Sequence, residues 1–174
     1  MKNILILHGW KANPKILWFP KVKKELEKLG YNVFVPKLPR SRHPKQHAWL
    51  EVVKKFKPNK DWILAGHSLG GTTILRYLEQ TRTPIGKVVL LATPLVDCTM
   101  EEISDFFKTD FNWDKIAKHT KKATVLVSDD DYPFITISAQ GIANKLNGDL
   151  ITLTGHGHNL ETAPITSIVE TIIK

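Results

Sequence analysis

Apolar residues gather along the chain into six short continuous runs: Asn3 to Leu7, Tyr31 to Val35, Trp62 to Ala65, Lys87 to Ala92, Ala123 to Val127 and Leu150 to Leu153. Runs of this length without polar alternation are what strands covered on both faces look like. Between them the apolar period becomes helical. Val22, Leu26 and Leu29 stop at Gly30, Trp49, Val52, Val53 and Phe56 precede Pro58, and Ala139, Ile142, Ala143 and Leu146 precede Asn147-Gly148. A last helical segment puts Ile165, Ile168, Val169 and Ile172 on one face, with Pro164 early in the helix and Thr162 as its expected N-cap. Strand and helix alternate throughout. The expected fold is therefore α/β, a mostly parallel six-stranded sheet with helices on both faces; taken as a doubly wound sheet of chain order 2-1-3-4-5-6, it makes strands 1 and 3 neighbours whose C-terminal ends form the switch-point crevice. The least regular stretch, Thr93 to His119, reads as two short helices crossing the end of the sheet, a natural substrate-covering element. No repeat, low-complexity tract or linker interrupts the pattern, so residues 1–174 are expected to form a single domain.

Composition narrows the chemistry. A chain of 174 residues can bury a continuous core without staples, and its one cysteine, Cys98, cannot form an internal disulfide. No Cys/His cluster has zinc-ligand spacing, which argues against a structural metal site, and with a single cysteine a reducing, cytoplasmic setting follows most simply. The N-terminal apolar run, Ile4 to Leu7, is too short for a signal peptide or a membrane span. The net charge of +8 is lopsided: residues 1–60 carry 15 Lys/Arg against 3 Asp/Glu, and residues 61–174 carry 10 against 14. A basic half can attract nucleic acid, anionic lipid or an anionic substrate. Yet Lys21, Lys23, Lys24, Lys28, Lys54, Lys55 and Lys57 fall on the polar sides of predicted helices, and no aromatic-basic interleaving accompanies them. Solvated charge is the expectation, and a nucleic-acid partner is not.

One short stretch carries chemistry. In "WILAGHSLGGTTIL" a serine, Ser68, stands between Gly66 and Gly70, after an apolar strand and before a helical segment. A nucleophilic serine needs a sharp strand-to-helix turn with no side chain crowding it two residues to either side, which the glycines allow. The same turn sets the backbone N–H of Leu69 at a helix N-terminus, where negative charge on a substrate oxygen is stabilised. The spacing alone arises by chance in roughly one chain of this length in twenty, so a structural serine in a glycine-rich turn is a serious alternative. The context weakens that alternative, because strand before and helix after are what the motif requires. A second oxyanion donor is expected from the loop after the first strand, "LHGW", with the N–H of Trp10 as candidate. His8 and His67 read as orienting or packing residues.

Serine needs a histidine to take its proton, and the histidine needs a carboxylate to set its tautomer. In this topology the chain order should be serine, acid, histidine. "SDDDYPF" after the fifth strand offers Asp129, Asp130 and Asp131, and "TGHGHN" after the sixth offers His156 and His158, with Asp97 after the fourth as a weaker acid. Both loops leave the same edge of the sheet as Ser68.

With these residues in view, the chain resembles the small single-domain serine hydrolases of the α/β-hydrolase superfamily, the YdeN and retinoblastoma-binding protein 9 type. The likeness covers nearly the whole chain: "LHGW" with Trp18 downstream, Trp49 in the second helix, "GHSLGG", "FNWDKI", "SDDD" and "GHGHN" in order, with no large inserted cap. The resemblance implies Ser68 as nucleophile, Asp131 as acid and His158 as base, no metal or organic cofactor, and activity on small carboxylic esters. It also admits a thioesterase or a small aminopeptidase using the same residues. Trp10, Trp18, Phe107, Trp113 and Phe134 are candidates to line an apolar acyl pocket. The reading from another class is a binding protein without turnover that uses the basic N-terminal half.

Overall fold

Six parallel strands lie side by side in the computed structural model, which describes residues 2–174. They are β1 Asn3–Leu7, β2 Asn32–Phe34, β3 Trp62–His67, β4 Lys87–Leu91, β5 Ala123–Ser128 and β6 Asp149–Leu153, in the order β2-β1-β3-β4-β5-β6. Side chains alternate across a strand, so a continuous apolar run supplies two cores. Leu5, Leu7, Leu64, Val88, Leu90, Val125 and Val127 pack under α2 Gln46–Lys55, α3 Leu69–Leu78 and α5 Pro133–Leu146. Ile4, Ile6, Ile63, Ala65, Val89, Leu91 and Leu126 pack under α1 Phe19–Lys28 and α6 Ile165–Ile173. Each such Val, Leu or Ile side chain contributes about 1.5–3 kcal/mol by leaving water. Burial on both faces holds for β1, β3, β4 and β5 but not for the outer strands. β2 is three residues long with two of them exposed, and no residue of β6 is fully buried, because a strand at the rim has a neighbour on one side only.

Helix ends follow their signals with one exception. Gly30, at φ 85°, ends α1, and Asn147, at φ 46°, ends α5, whose first residue is Pro133. The exception is α6. It begins at Ile165 with Pro164 at the capping position and no side-chain cap, while the Thr162 hydroxyl pairs with His156 Nδ1 at 2.8 Å. Thr162 is too far upstream because the chain is still turning there, as Leu160 at φ 54° records. No helix among the described residues is long and apolar enough to cross a membrane.

The covering segment divides into two parts, a 3-10 helix at Glu101–Phe106 and α4 Trp113–Lys118. Its anchor is Arg76, a buried guanidinium on α3, a helix in which every residue is buried. Arg76 donates to the carbonyls of Phe106 (2.9 Å), Thr109 (2.5 Å) and Asp110 (3.3 Å) and pairs with Glu79, which also accepts the Asn112 N–H. A planar, forked donor suits this position, because one charge satisfies three loop carbonyls that would otherwise lie near the core unpaired.

Candidate active site

The chain leaves β1 and β3 in opposite directions, so their C-terminal ends, paired at Leu7 and Gly66, open the crevice where doubly wound sheets bind ligands. Ser68 stands at that point with φ 53° and ψ −126°, a conformation sparsely populated by residues other than glycine. Its N–H donates to Leu91 O at 2.8 Å and its carbonyl accepts from Gly71 N at 2.9 Å, so backbone bonds on both sides hold the turn. The glycines around it answer to backbone approach. A Cβ on Gly66 would lie 2.5 Å from Gly71 N, and one on Gly70 would strike the carbonyl oxygens of Leu7 and His8. Gly9 is a third such position that the sequence reading did not single out: a Cβ there would lie 2.9 Å from that of Ser68. The "HG" after β1 was the visible signal.

Three consecutive aspartates grip the loop after β6, each at a different place. Asp129 accepts from Gly155 N (2.9 Å), Asp130 from Gly157 N (2.8 Å) and from the Ser128 hydroxyl (2.5 Å), and Asp131 from His158 Nδ1–H at 3.0 and 3.2 Å. Gly155 and Gly157, at φ 75° and 59°, supply the left-handed conformations this loop needs. The bond from Ser128 is the main reason the Asp130 carboxyl is held below the usual carboxylate range, with Gly157 adding to it. The Asp131 side chain is fully buried, and its other partner is the N–H of Tyr132 at 2.7 Å. A carboxylate only accepts, so the neutral His158 ring carries its proton on Nδ1 and presents a lone pair at Nε2. Ser68 Oγ lies 2.9 Å from that Nε2. Ser68, His158 and Asp131 therefore form one hydrogen-bonded chain. His156 turns away to Thr162, and Asp97 bonds the N–H of Thr99.

The two glycine-adjacent histidines are buried and neutral. His8 accepts from Leu38 N at Nε2 (3.0 Å) and donates from Nδ1 to Gly9 O, tying the loop after β1 to the one after β2. Burial holds its pKa below the usual value. His67 donates from Nε2 to the carbonyl of His158 at 2.9 Å. Its Nδ1 and the indole N–H of Trp18 are buried without partners among the described residues, the two rings standing edge to face at 5.9 Å. Burial first, and the neighbouring His158 second, push the His67 pKa down to about 3. An unfolded histidine titrates near 6.5. The unfolded chain thus takes up a proton the folded one refuses, and stability falls as pH drops from about 6.5 towards 3. His67→Gln keeps a donor for the His158 carbonyl and removes the titration. The loss of unfolding free energy between pH 7.5 and 5, measured by urea denaturation, should be smaller in this variant by about 2 kcal/mol. Equal losses in the two proteins would contradict the assignment.

Beside Ser68 opens a cavity of about 540 Å³. Its wall is apolar, with Trp10, Leu17, Met100, Ile103, Phe134 and Ile135, and it also reaches Cys98, Tyr132 and Asn159. Two of the aromatic candidates, Trp10 and Phe134, line it. The other three do not. Trp18, 2% exposed, is packed against Phe19 beneath the sheet on the α1 and α6 side. Phe107 and Trp113 line a separate hollow with Leu95, Asp97 and Phe111, because the Arg76 anchor carries that half of the covering segment away from Ser68. Cys98, Met100 and Ile103 were missed, since nothing local marks which part of an irregular segment faces a cavity. No group of three or more His, Cys, Asp or Glu among the described residues could hold a metal ion.

The fold recurs in known proteins. YdeN of Bacillus subtilis (strain 168) is 28% identical over 172 residues, covering 96% of this chain and 90% of its own. The crystal structure of the ydeN gene product superposes with a TM-score of 0.88, over 98% of this chain and 96% of that one. Serine hydrolase RBBP9 of Rattus norvegicus is 25% identical, covering 90% of this chain and 86% of its own. Est1E from Butyrivibrio proteoclasticus, solved with ferulic acid, shares the fold at a TM-score of 0.78 and 16% identity, over 99% of this chain and 86% of that one. The serine hydrolase family profile matches residues 4–168, nearly the whole sheet and both loops that approach Ser68. The chain belongs to the serine hydrolase family, built on the α/β-hydrolase fold.

Proposed function

We propose that this serine hydrolase cleaves small acyl esters or thioesters through an acyl-enzyme, with Ser68 as nucleophile, His158 as general base and acid, and Asp131 as the carboxylate that orients it. The observation that carries the reading is the chain of hydrogen bonds from Ser68 Oγ to His158 Nε2 (2.9 Å) and from His158 Nδ1–H to Asp131 (3.0 Å). Ser68 attacks the acyl carbon while His158 takes its proton, and the buried Asp131 stabilises the imidazolium. The N–H groups of Leu69 and Trp10, neither donated to an acceptor among the described residues, receive the oxyanion. The imidazolium then protonates the leaving group, and water, deprotonated by His158, releases the acid. Neither a metal nor a cofactor enters these steps. A small acyl substrate fits the cavity, and a lone thiol, Cys98, fits a reducing, cytoplasmic setting.

The cavity wall also bears on substrate class. Among the described residues it holds no carboxylate, which a free α-ammonium group would need if buried there, so esters and thioesters are favoured over aminopeptidase substrates. A fluorophosphonate probe should label the wild-type protein and not Ser68→Ala. An unlabelled wild type, or equal labelling of both, rejects the catalytic reading. A hexanoyl ester and a hexanoyl thioester should then turn over faster than a leucyl amide.

A further inference from the structure

The basic charge of the N-terminal half separates into two groups. On the helices, Lys23, Lys28 and Lys54 are paired with Glu27, Glu25 and Glu51, while Lys21, Lys24 and Lys55 are exposed without an ion pair among the described residues. The loops after β1 and β2 are different. They carry Lys11, Lys15, Lys37, Arg40, Arg42 and Lys45, all exposed, and no acidic residue occurs from 1 to 24 or from 28 to 50. None of the six forms an ion pair with a described residue. Asp105, an acid near Lys45, is engaged by Lys108 at 2.7 Å and by the Gln46 N–H at 2.8 Å.

The two loops meet at the catalytic cavity. Lys11 N donates to Ser41 O (2.8 Å), the Trp10 indole N–H donates to Arg42 O (2.9 Å), and the Lys11 ammonium sits 3.7 Å over the Trp10 ring. Trp10 is itself a wall of the cavity beside Ser68. A largely apolar pocket thus has, beside its Trp10 wall, two loops that carry six exposed cations and no acidic residue. An acyl group suits the pocket and phosphate suits the cations.

Resting on the acyl-enzyme reading above, we propose that the substrate is an acyl ester or thioester whose leaving group bears phosphate: the acyl chain enters the cavity and the rim formed by Lys11, Arg40, Arg42 and Lys45 holds the anionic leaving group. For a thioester, a bond forms between Ser68 Oγ and the acyl carbon, and the carbon–sulfur bond breaks. The Ser68 proton passes through His158 to the departing sulfur, and water then releases the acid and restores Ser68.

The test uses three hexanoyl thioesters with the same reacting bond, those of pantetheine, phosphopantetheine and coenzyme A. At low ionic strength kcat/KM should rise with the charge of the leaving group, by roughly 10-fold or more across the series, and the difference should close at high salt. In the triple variant Arg40→Gln/Arg42→Gln/Lys45→Gln the ratio of the coenzyme A thioester to the pantetheine thioester should fall several-fold. The ratio is taken within each protein, so a change in the folded fraction cancels. Equal kcat/KM across the series at low salt, or a ratio that the triple variant leaves unchanged, overturns the proposal. Loss of binding to anionic lipid vesicles with an unchanged ratio also overturns it, assigning the rim to a membrane instead. Turnover of all three thioesters without charge preference defeats only the rim. Absence of turnover together with absence of fluorophosphonate labelling defeats the hydrolytic mechanism itself.

Discussion

Ser68→Ala is expected to lower kcat on a hexanoyl ester by about 10⁶, with KM little changed and the fold retained. The size follows from the chemistry proposed for the site. Without Oγ there is no acyl-enzyme, and the remaining groups act as a unit that has lost its reacting atom. What survives is the pocket and the two N–H donors, worth about 10³ to 10⁴ over water. The variant should fold, because no hydrogen bond of the turn itself uses Oγ. The N–H to Leu91 O and the carbonyl to Gly71 N are backbone, and the side chain's partner is His158. Single-turnover kinetics with circular dichroism on the same sample check both halves. A folded variant that keeps more than about a hundredth of the wild-type kcat would remove Ser68 from the mechanism.

Asp131→Asn should lower kcat by about 10⁴ with the geometry intact. The reason is the tautomer. Asp131 accepts from His158 Nδ1–H at 3.0 Å, leaving Nε2 to receive the serine proton. It also accepts from Tyr132 N–H at 2.7 Å. An asparagine turned so that its oxygen keeps the Tyr132 bond presents its amide to Nδ1 as a donor. The proton then moves to Nε2, which donates to Ser68 instead of accepting from it. The contrast is Asp130→Asn. Asp130 supports the loop through Gly157 N–H and the Ser128 hydroxyl and does not touch the imidazole, so the loss in kcat should be far smaller. Similar losses in the two variants would leave the orienting role with neither aspartate in particular.

These contrasts also mark how far the sequence could be read. The strands were legible because burial on two faces leaves a local trace, an apolar run such as Lys87 to Ala92 with no polar alternation. The turn at Ser68 was legible because its clearance depends on Gly66 and Gly70, two residues away. The loops after β5 and β6 were legible as loops, yet their neighbouring residues in sequence were not separable. Asp130 and Asp131 have the same chemistry and differ in direction: one faces Gly157 N–H, the other the His158 ring. His156 and His158 stand in the same relation, with a glycine between them. The direction each takes is set by how the loop after β5 lies against the loop after β6, a contact between residues 27 apart in the chain.

The aromatic candidates make the same point through packing. Trp18, Phe107, Trp113 and Phe134 are alike in being large and apolar, but Trp18 lies beneath the sheet, Phe107 and Trp113 line another hollow, and Phe134 lines the cavity beside Ser68. An apolar side chain loses water in each of these places, so the driving force that buries it carries no address. The sequence by itself determined the α/β class and the serine on its turn, because each rests on periodicity or on steric needs within a few residues. Only the tertiary structure decided which aspartate meets which histidine, which aromatics border the cavity, and that the loops after β1 and β2 meet beside Trp10, because these depend on distances between segments that local preference does not encode.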